Sequence, residues 1–290
     1  MIQSMTGFGK ATAELGEKRI TIEIKSLNSK QLDLNVRIPG IYREKEMEIR
    51  SELLKKLERG KVDLSIFIEN VGRSASAQIN QAVFENYYLQ IKEVADKLSI
   101  ELPADWFSVL LRLPDVLKTE ISELDENEWT QVHATLNEAV NGLVEFRKQE
   151  GKMLQALFEE KINNIATSLE EVSQYEGERI EKIKEKIQEA LQKNEVTSFD
   201  NNRFEQELIF YIEKLDVNEE KSRLKNHLNY FLETLKDGKG QGKKLGFIGQ
   251  EMGREINTLG SKSNHAEMQQ IVVRMKDELE QIKEQVLNVL

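Results

Sequence analysis

The sequence predicts an α+β fold: a small N-terminal antiparallel sheet with a packed helix, followed by a C-terminal domain of long helices. Three observations carry this. Apolar and polar residues alternate with a period of two in the first seventy positions. From Glu126 to about Lys193 no proline intervenes, and apolar residues recur at spacings of three and four. At 290 residues the chain is long enough for two ordinary domains. The division expected from the change of period is 1–150 for the α+β domain and 151–290 for the helical domain.

In "RITIEIKSLN", Ile20, Ile22 and Ile24 alternate with Thr21, Glu23 and Lys25, the pattern of a half-buried strand. "QLDLNVRIP" repeats it with Leu32, Leu34, Val36 and Ile38 until Pro39-Gly40 stops the run, and Asn28-Ser29 supplies a turn between the two. Ile49, Leu53, Leu54 and Leu57 mark one face of a helix that Gly60 closes. "KVDLSIFIENV" reads as a third strand, and "SASAQIN" is a candidate fourth. Helix dominates from residue 81, broken by a proline-punctuated stretch at Leu102–Asp115 whose apolar turn is expected to dock elsewhere.

Further on, Leu143, Phe146, Met153, Leu157, Ile162 and Ile165 are followed beyond Gly177 by Ile180, Ile183, Ile187 and Leu191. These predict one or two long helices, with an antiparallel pair as one arrangement. Two more helices follow, the first capped by Asp200 or Asn201 and the second by "DVNEE", whose acids suit a helix start. After the glycine-rich break "DGKGQGKK", Leu245, Ile248, Met252, Ile256 and Leu259 form an apolar stripe, and a last helix covers Ala266–Val289.

Composition narrows the functional classes. With 39% hydrophobic and 32% charged residues, the chain has the mixture of a folded helical protein. It has no cysteine, so disulfides and Cys-ligated zinc or iron–sulfur centres are excluded. No apolar run approaches the roughly 20 residues of a membrane span, and "MIQSMTGFGK" lacks signal-peptide features. A cytoplasmic location without membrane contact is expected. The net charge of −10 argues against a protein that coats nucleic acid along its length. It leaves room for a local basic groove.

The glycine-rich break is not a nucleotide site. A phosphate loop needs Ser or Thr after Gly-Lys and a glycine five positions before it; here Lys244 and Asp237 stand there. The dinucleotide fingerprint fails at Lys243. No nucleotide cofactor is expected. Residues 238–262 nevertheless hold five Lys/Arg (Lys239, Lys243, Lys244, Arg254, Lys262) against two acids. Helical spacing puts Glu251, Arg254, Glu255 and Thr258 away from the apolar stripe, with Glu251 and Glu255 one turn apart. Two such carboxylates can hold a hard cation or serve as acid and base. On spacing alone, a solvated face with Glu–Arg pairing is the commoner arrangement. Asp216, Glu220, Arg223 and His227 form a second group, in which His227 has an acid–base candidate's neighbours; His265 is another candidate histidine.

"SMTGFGKA", "IEIKSLNSKQLDLNVRIP", "ERGKVDLSI", "NRFEQELIFYIEKLDVNEEKSRLKNHL" and "GKKLGFIGQEMGREINTLGSKSN…VVRMKDELEQIKEQVLN" together resemble the bacterial YicC/YloC-like family. The matches run in order over both ends and much of the C-terminal half; residues 75–145 carry little of the signature. The resemblance implies a cytoplasmic endoribonuclease of RNA turnover that works with a divalent metal, Mn2+ or Mg2+. It also implies a ring-like homo-oligomer, a hexamer, that closes around RNA. Asn202, Arg203, Glu205, Glu207, Asp216, Glu219, Glu220, Arg223 and His227 fall on one family motif. Lys243, Gln250, Glu251, Arg254, Glu255, Asn257, Ser261, Lys262 and Ser263 fall on the other, whereas His265 lies where the family varies.

The expected catalytic groups are Glu251, Glu255, Glu220 and His227, with Glu251, Glu255 and Glu220 as metal ligands. Arg203, Arg223, Lys243, Lys244, Arg254, Asn257, Ser261, Lys262 and Ser263 are the expected RNA contacts. The rival expectation is a non-catalytic RNA-binding or scaffold protein, supported by the long helices and the lack of a dense Asp/His cluster.

Overall fold

Strand β1 (Gly7–Leu15) runs antiparallel to β2 (Lys18–Leu27), and β2 runs antiparallel to β4 (Gly60–Asn70). The computed structural model describes residues 2–71, 78–118, 124–193, 201–238 and 240–290. β3 (Leu32–Arg37) completes the sheet, in the order β1-β2-β4-β3. The sheet is mixed rather than wholly antiparallel, because β3 lies parallel to β4. A 3-10 turn (Gly40–Lys45) and helix α1 (Glu46–Lys56) connect the two strands. A helical crossover returns the chain in the direction in which it left, so the flanking strands must be parallel.

The period-two residues point as their alternation requires. Ile20, Ile22, Ile24, Val62 and Leu64 are fully buried, beneath Ile49 and Leu53 of α1. β1 is the strand the alternation did not reveal, since "GFGKATAEL" carries little large apolar surface. The candidate fourth strand does not join the sheet. Residues 72–77 lie outside the described residues, and Gln78–Ile79 (β5) pairs with Leu117–Lys118 (β6) in a separate two-stranded ladder. Between them, helix α2 (Gln81–Leu98) receives the short helix α3 (Trp106–Leu110), with Tyr88 and Trp106 ring centres 4.6 Å apart. The expected docking segment therefore packs on its own neighbour.

Helix α4 (Glu126–Val172) is a single run of 47 residues, about 70 Å long at the α-helical rise. Its first half packs Trp129, Val132, Leu136 and Leu143 on the sheet. Its second half gives Leu154, Phe158, Ile162, Ile165 and Leu169 to another core. The buried line passes through Arg147 and Gly151, and Phe146 and Met153, expected inside, are exposed. A polar and a minimal side chain occupy the crossover, which an apolar-periodicity rule cannot see.

A 3-10 turn (Ser173–Tyr175) leads into α5 (Glu176–Lys193), and α6 (Asn201–Lys214) follows. Asp200, one expected cap of α6, lies outside the described residues. Three helices then pack with the second half of α4: α7 (Asn218–Lys236), α8 (Gly242–Lys262) and α9 (Ala266–Val286). Phe158 and Phe231 meet edge to face at 5.8 Å in that core. Val217 is the N-cap of α7 and carries no side-chain cap; Asp216, one residue earlier, accepts at Oδ1 from the Asn218 backbone N–H at 3.2 Å. No helix among the described residues is long and apolar enough to cross a membrane.

Where α4 crosses β1, backbone lies directly on backbone. A Cβ on Gly9 would stand 2.0 Å from the Ala139 carbonyl oxygen and 2.7 Å from the Leu143 nitrogen. Across the same contact a Cβ on Gly142 would come no closer than 3.6 Å, to Gly9 Cα. Gly9→Ala is therefore expected to lower stability by about 2–3 kcal/mol through forced separation of strand and helix. Gly142→Ala, in a helix interior, should be neutral or raise stability by up to about 1 kcal/mol. Urea unfolding of the two variants separates this one-sided contact from a general intolerance of alanine.

Candidate active site

Helices α7 and α8 form an antiparallel hairpin whose turn includes Gly238 and Gly240, both at positive φ. The hairpin is fixed at both ends. Lys262 Nζ donates to Glu220 Oε1 at 2.8 Å, and Lys244 Nζ lies 3.6 Å from Asp237 Oδ2 and 4.8 Å from the Tyr230 ring centre. Tyr230, and then Asp237, hold the Lys244 amine above the usual lysine range.

Turn counting does the rest. At 100° per residue, Lys244, Glu251, Glu255 and Lys262 fall on one line along α8, and both ends of that line touch α7. Glu251 and Glu255 therefore flank the seam between the helices, with Glu255 at the level of His227. This corrects the sequence expectation for Glu255, which is 9% exposed rather than on an open face. Glu251 is partly buried. Its Oε1 stands 3.0 Å from Arg254 Nη1, but no hydrogen bond is aligned to it. Glu255 and His227 have no hydrogen-bond or ion-pair partner among the described residues, and His227 is half-buried.

The apolar stripe holds α8 in place. Leu245, Ile248, Met252, Ile256 and Leu259 are all buried. The glycines of the same segment admit α9 and the chain that follows it: a Cβ on Gly260 would meet Val272 Cγ1 at 2.9 Å, and one on Gly242 would meet the Val289 carbonyl oxygen at 2.4 Å. Opposite this packed face, Lys243, Gln250, Arg254, Asn257 and Ser261 form an exposed row. Ser263 is turned inward, its hydroxyl donating to the Leu259 carbonyl at 2.6 Å.

At the other end of the seam Glu220 is buried, with Oε2 lacking any hydrogen-bond partner. Lys262 also donates to the Asp216 carbonyl at 2.9 Å, and Arg179 of α5 donates to the Leu215 carbonyl at 2.9 Å. Two cations thus bind the chain where it leaves α6, as the negative end of a helix favours. Arg223 is exposed and paired with Glu219. Arg203 lies on α6, its side chain outside what is described.

Counting along the antiparallel hairpin from its two pinned ends puts His227 at the level of Glu255, one turn from Glu251. The structure does not bring Glu220 to Glu251: eleven residues of α8 from Lys262 back to Glu251 span about 16 Å. Among the described residues no group of three or more His, Asp or Glu side chains stands as a ready metal-ligand set. His265 sits elsewhere. It is buried, with Lys182 Nζ 3.0 Å from Nε2 and Glu267 Oε2 3.0 Å from Nδ1, and it packs on Tyr175. Lys182 and His265 hold the Glu178 carboxyl below the usual range. This cluster ties α5 to the start of α9.

A two-core α+β protein with a charged seam along its C-terminal helix hairpin is the class that fold and site define. The chain belongs to the YicC-like family. Residues 2–156 match the model described as "Endoribonuclease YicC-like, N-terminal region" and residues 169–290 the one described as "Endoribonuclease YicC-like, C-terminal". It is 31% identical over 295 residues to "Probable endoribonuclease YicC" of Clostridioides difficile strain 630, covering 100% of both chains. It is 30% identical over 293 residues to the protein of the same name from Haemophilus influenzae, covering 99% of both.

Removing Lys262 would leave Glu220 charged, buried and unpaired. Lys262→Met is expected to cost about 3 kcal/mol, the low end for breaking a buried pair, because Lys262 keeps some solvent contact. Glu220→Gln in the same chain should recover about 1–2 kcal/mol. Strict additivity in a urea-unfolding double-mutant cycle would show that the two groups are not coupled.

Proposed function

We propose that this chain is an endoribonuclease that cleaves single-stranded or structured RNA in RNA turnover, in the cytoplasm, with Glu251 and Glu255 at the centre of its site. The observation that carries the reading is the line Lys244–Glu251–Glu255–Lys262 along the α7–α8 seam. Two carboxylates stand between two anchored amines, in the helix that carries most of the matched C-terminal motif. The relatives' names, both probable endoribonucleases, support the reaction class.

A divalent ion here would draw only two ligands from this helix, since no third His, Asp or Glu converges on them among the described residues. Glu251 Oε1 has no aligned hydrogen bond, although Arg254 Nη1 lies 3.0 Å from it, and Glu255 has no cationic partner among the described residues. A hard cation that keeps several waters needs only one or two carboxylates when substrate phosphates supply the remainder. Glu251 and Glu255 would hold Mn2+ or Mg2+, which when bound neutralises phosphate charge and activates water. Glu220, about 16 Å away along α8, would position Lys262 rather than share that ion within one chain.

The other assignments rest on the family motif and, where the side chain is described, on exposure. Lys243, Lys244, Arg254, Asn257 and Ser261, with Lys262, Arg223 and Arg203, would contact RNA phosphates and sugars. His227, beside the seam and free of partners among the described residues, would hold or deliver a proton at the cleaved ester. Assembly as a homo-oligomer, a hexamer, would pool the basic rows of an otherwise acidic chain around one RNA.

Incubation of the purified protein with a labelled structured RNA, with Mn2+, Mg2+ or EDTA, tests this directly. Glu251→Gln/Glu255→Gln is expected to lower the cleavage rate about a hundredfold or more while leaving RNA affinity close to wild type. Equal cleavage by wild type and double variant would sink the carboxylate assignment. Binding without cleavage at every metal concentration would favour the non-catalytic RNA-binding reading.

A further inference from the structure

A cavity of about 270 Å³ opens between α5, α6 and the loop that joins α8 to α9, lined by Ile183, Lys186, Tyr211, Lys214, Leu215 and Asn264. We infer that it is a subsite for one nucleotide of a single-stranded RNA, in which Tyr211 stacks on the base and Lys186 and Lys214 bind the flanking phosphates. The inference rests on the RNA-cleaving reading and adds residues outside the α7–α8 seam.

Three features point to this ligand. The first is charge. Most cations around this region are engaged: Lys182 with Glu178, Lys221 with Glu176, Lys262 with Glu220, and Arg179 with the Leu215 carbonyl. Lys186 and Lys214 have no carboxylate partner among the described residues, although the chain carries a net charge of −10. Lys214 Nζ lies over the Phe210 ring at 5.9 Å and Lys186 is exposed, so both amines remain available to an anion, and phosphates suit them. The second is the ring. Tyr211 is 41% exposed on a helix that also exposes Phe210, whose ring lies edge-on to it at 5.9 Å. An exposed aromatic face beside cations is the arrangement that stacks an unpaired base. The third is the polar edge. Asn264 offers both a donor and an acceptor, which suits a base edge, while Ile183 and Leu215 supply apolar walls.

The cavity is also joined to the seam. Leu215 forms its wall and Asp216, the next residue, has its carbonyl bound by Lys262. Asn264 follows Lys262 by two positions. A strand seated on Tyr211 would therefore pass Lys262 on its way to Glu255 and Glu251.

The test uses a short fluorescein-labelled single-stranded RNA, with anisotropy for binding and gel analysis for cleavage, on the full chain. Tyr211→Leu is expected to weaken binding about tenfold, one lost base–aromatic stack, and Tyr211→Phe to bind as wild type. Lys186→Gln and Lys214→Gln should each reduce the salt dependence of binding by about one phosphate contact. Unchanged affinity for Tyr211→Leu, or an unchanged salt slope in both lysine variants, overturns the subsite while wild-type cleavage keeps the enzyme reading intact. Wild type that neither binds nor cuts RNA overturns both. A Tyr211→Phe variant as weak as Tyr211→Leu, with unchanged circular dichroism, would point to the hydroxyl and against stacking.

Discussion

Arg147 sets the geometry that everything else inherits. It sits where α4 leaves the sheet core and enters the helical core, almost wholly buried. Burial pulls its guanidinium below the usual arginine value, with Glu58 opposing. A buried cation with five donors must find acceptors. Nη2 finds them in the Met5 carbonyl at 3.2 Å, the Arg59 carbonyl at 3.3 Å and the Ser26 hydroxyl. That one group therefore fixes the N-terminal segment, the end of β2 and the entry to β4. The segment is held from its other side too. Met5 donates to the Asn288 carbonyl at 2.8 Å, and Leu290 donates to the Gln3 carbonyl at 2.8 Å. Gly151 lets the Ile2 carbonyl lie against α4, where a Cβ would stand at 2.2 Å. Residues 287–290 in turn close on Gly242, the first residue of α8. The seam helix is thus placed relative to the sheet by a short series of backbone contacts that begins at one arginine.

The charge pattern explains how an acidic protein presents a basic strip. On the outer surfaces, lysines and arginines pair with acids a turn away, as Arg50 does with Glu46, Lys97 with Glu93 and Lys182 with Glu178. Such pairs contribute little to stability, about 0.3–0.5 kcal/mol each. They do cancel the local field. Lys243 has no such partner among the described residues, and Arg254 has only the poorly aligned Glu251. Net charge is set by the sum, but attraction for a polyanion is set by the cations left uncancelled.

How much of this was legible in the sequence depends on which force placed each residue. The α8 stripe from Leu245 to Leu259 was fully legible, because burial there follows helical period alone. So were β2, β3 and β4. The parallel pairing of β3 with β4 was not, since alternation assigns a face and says nothing of a neighbour's direction. β1 escaped because its contact with α4 selects for small residues, Gly7 and Gly9, instead of large ones. Arg147 escaped because hydrogen bonding, not apolarity, buries it. At the candidate site, the family motif pointed to the α7 and α8 segments, and spacing alone put Glu255 on open surface. Its burial depends on how far α7 wraps around α8, which no single-helix wheel contains. Lys186, Lys214 and Tyr211 were missed for a related reason. Tyr211 and Lys214 are three apart on α6, but Lys186 joins them only after α5 and α6 dock.

On the proposed reading, the hairpin suits chemistry on a flexible polymer. A site on helices is held more closely than one on loops, provided the packing behind it is tight. Here the packed face of α8 is built from fully buried aliphatics and from glycines that let α9 approach. Its charged edge is pinned at Lys244 and Lys262. Between those pins Glu251 and Glu255 can move only by rotamer, so the separation of their carboxylates is governed by one helical turn. Of the glycine-rich break, Gly242 admits the Val289 carbonyl just past the end of α9. Gly260, at the other end of the helix, admits Val272 of α9 against the back of α8.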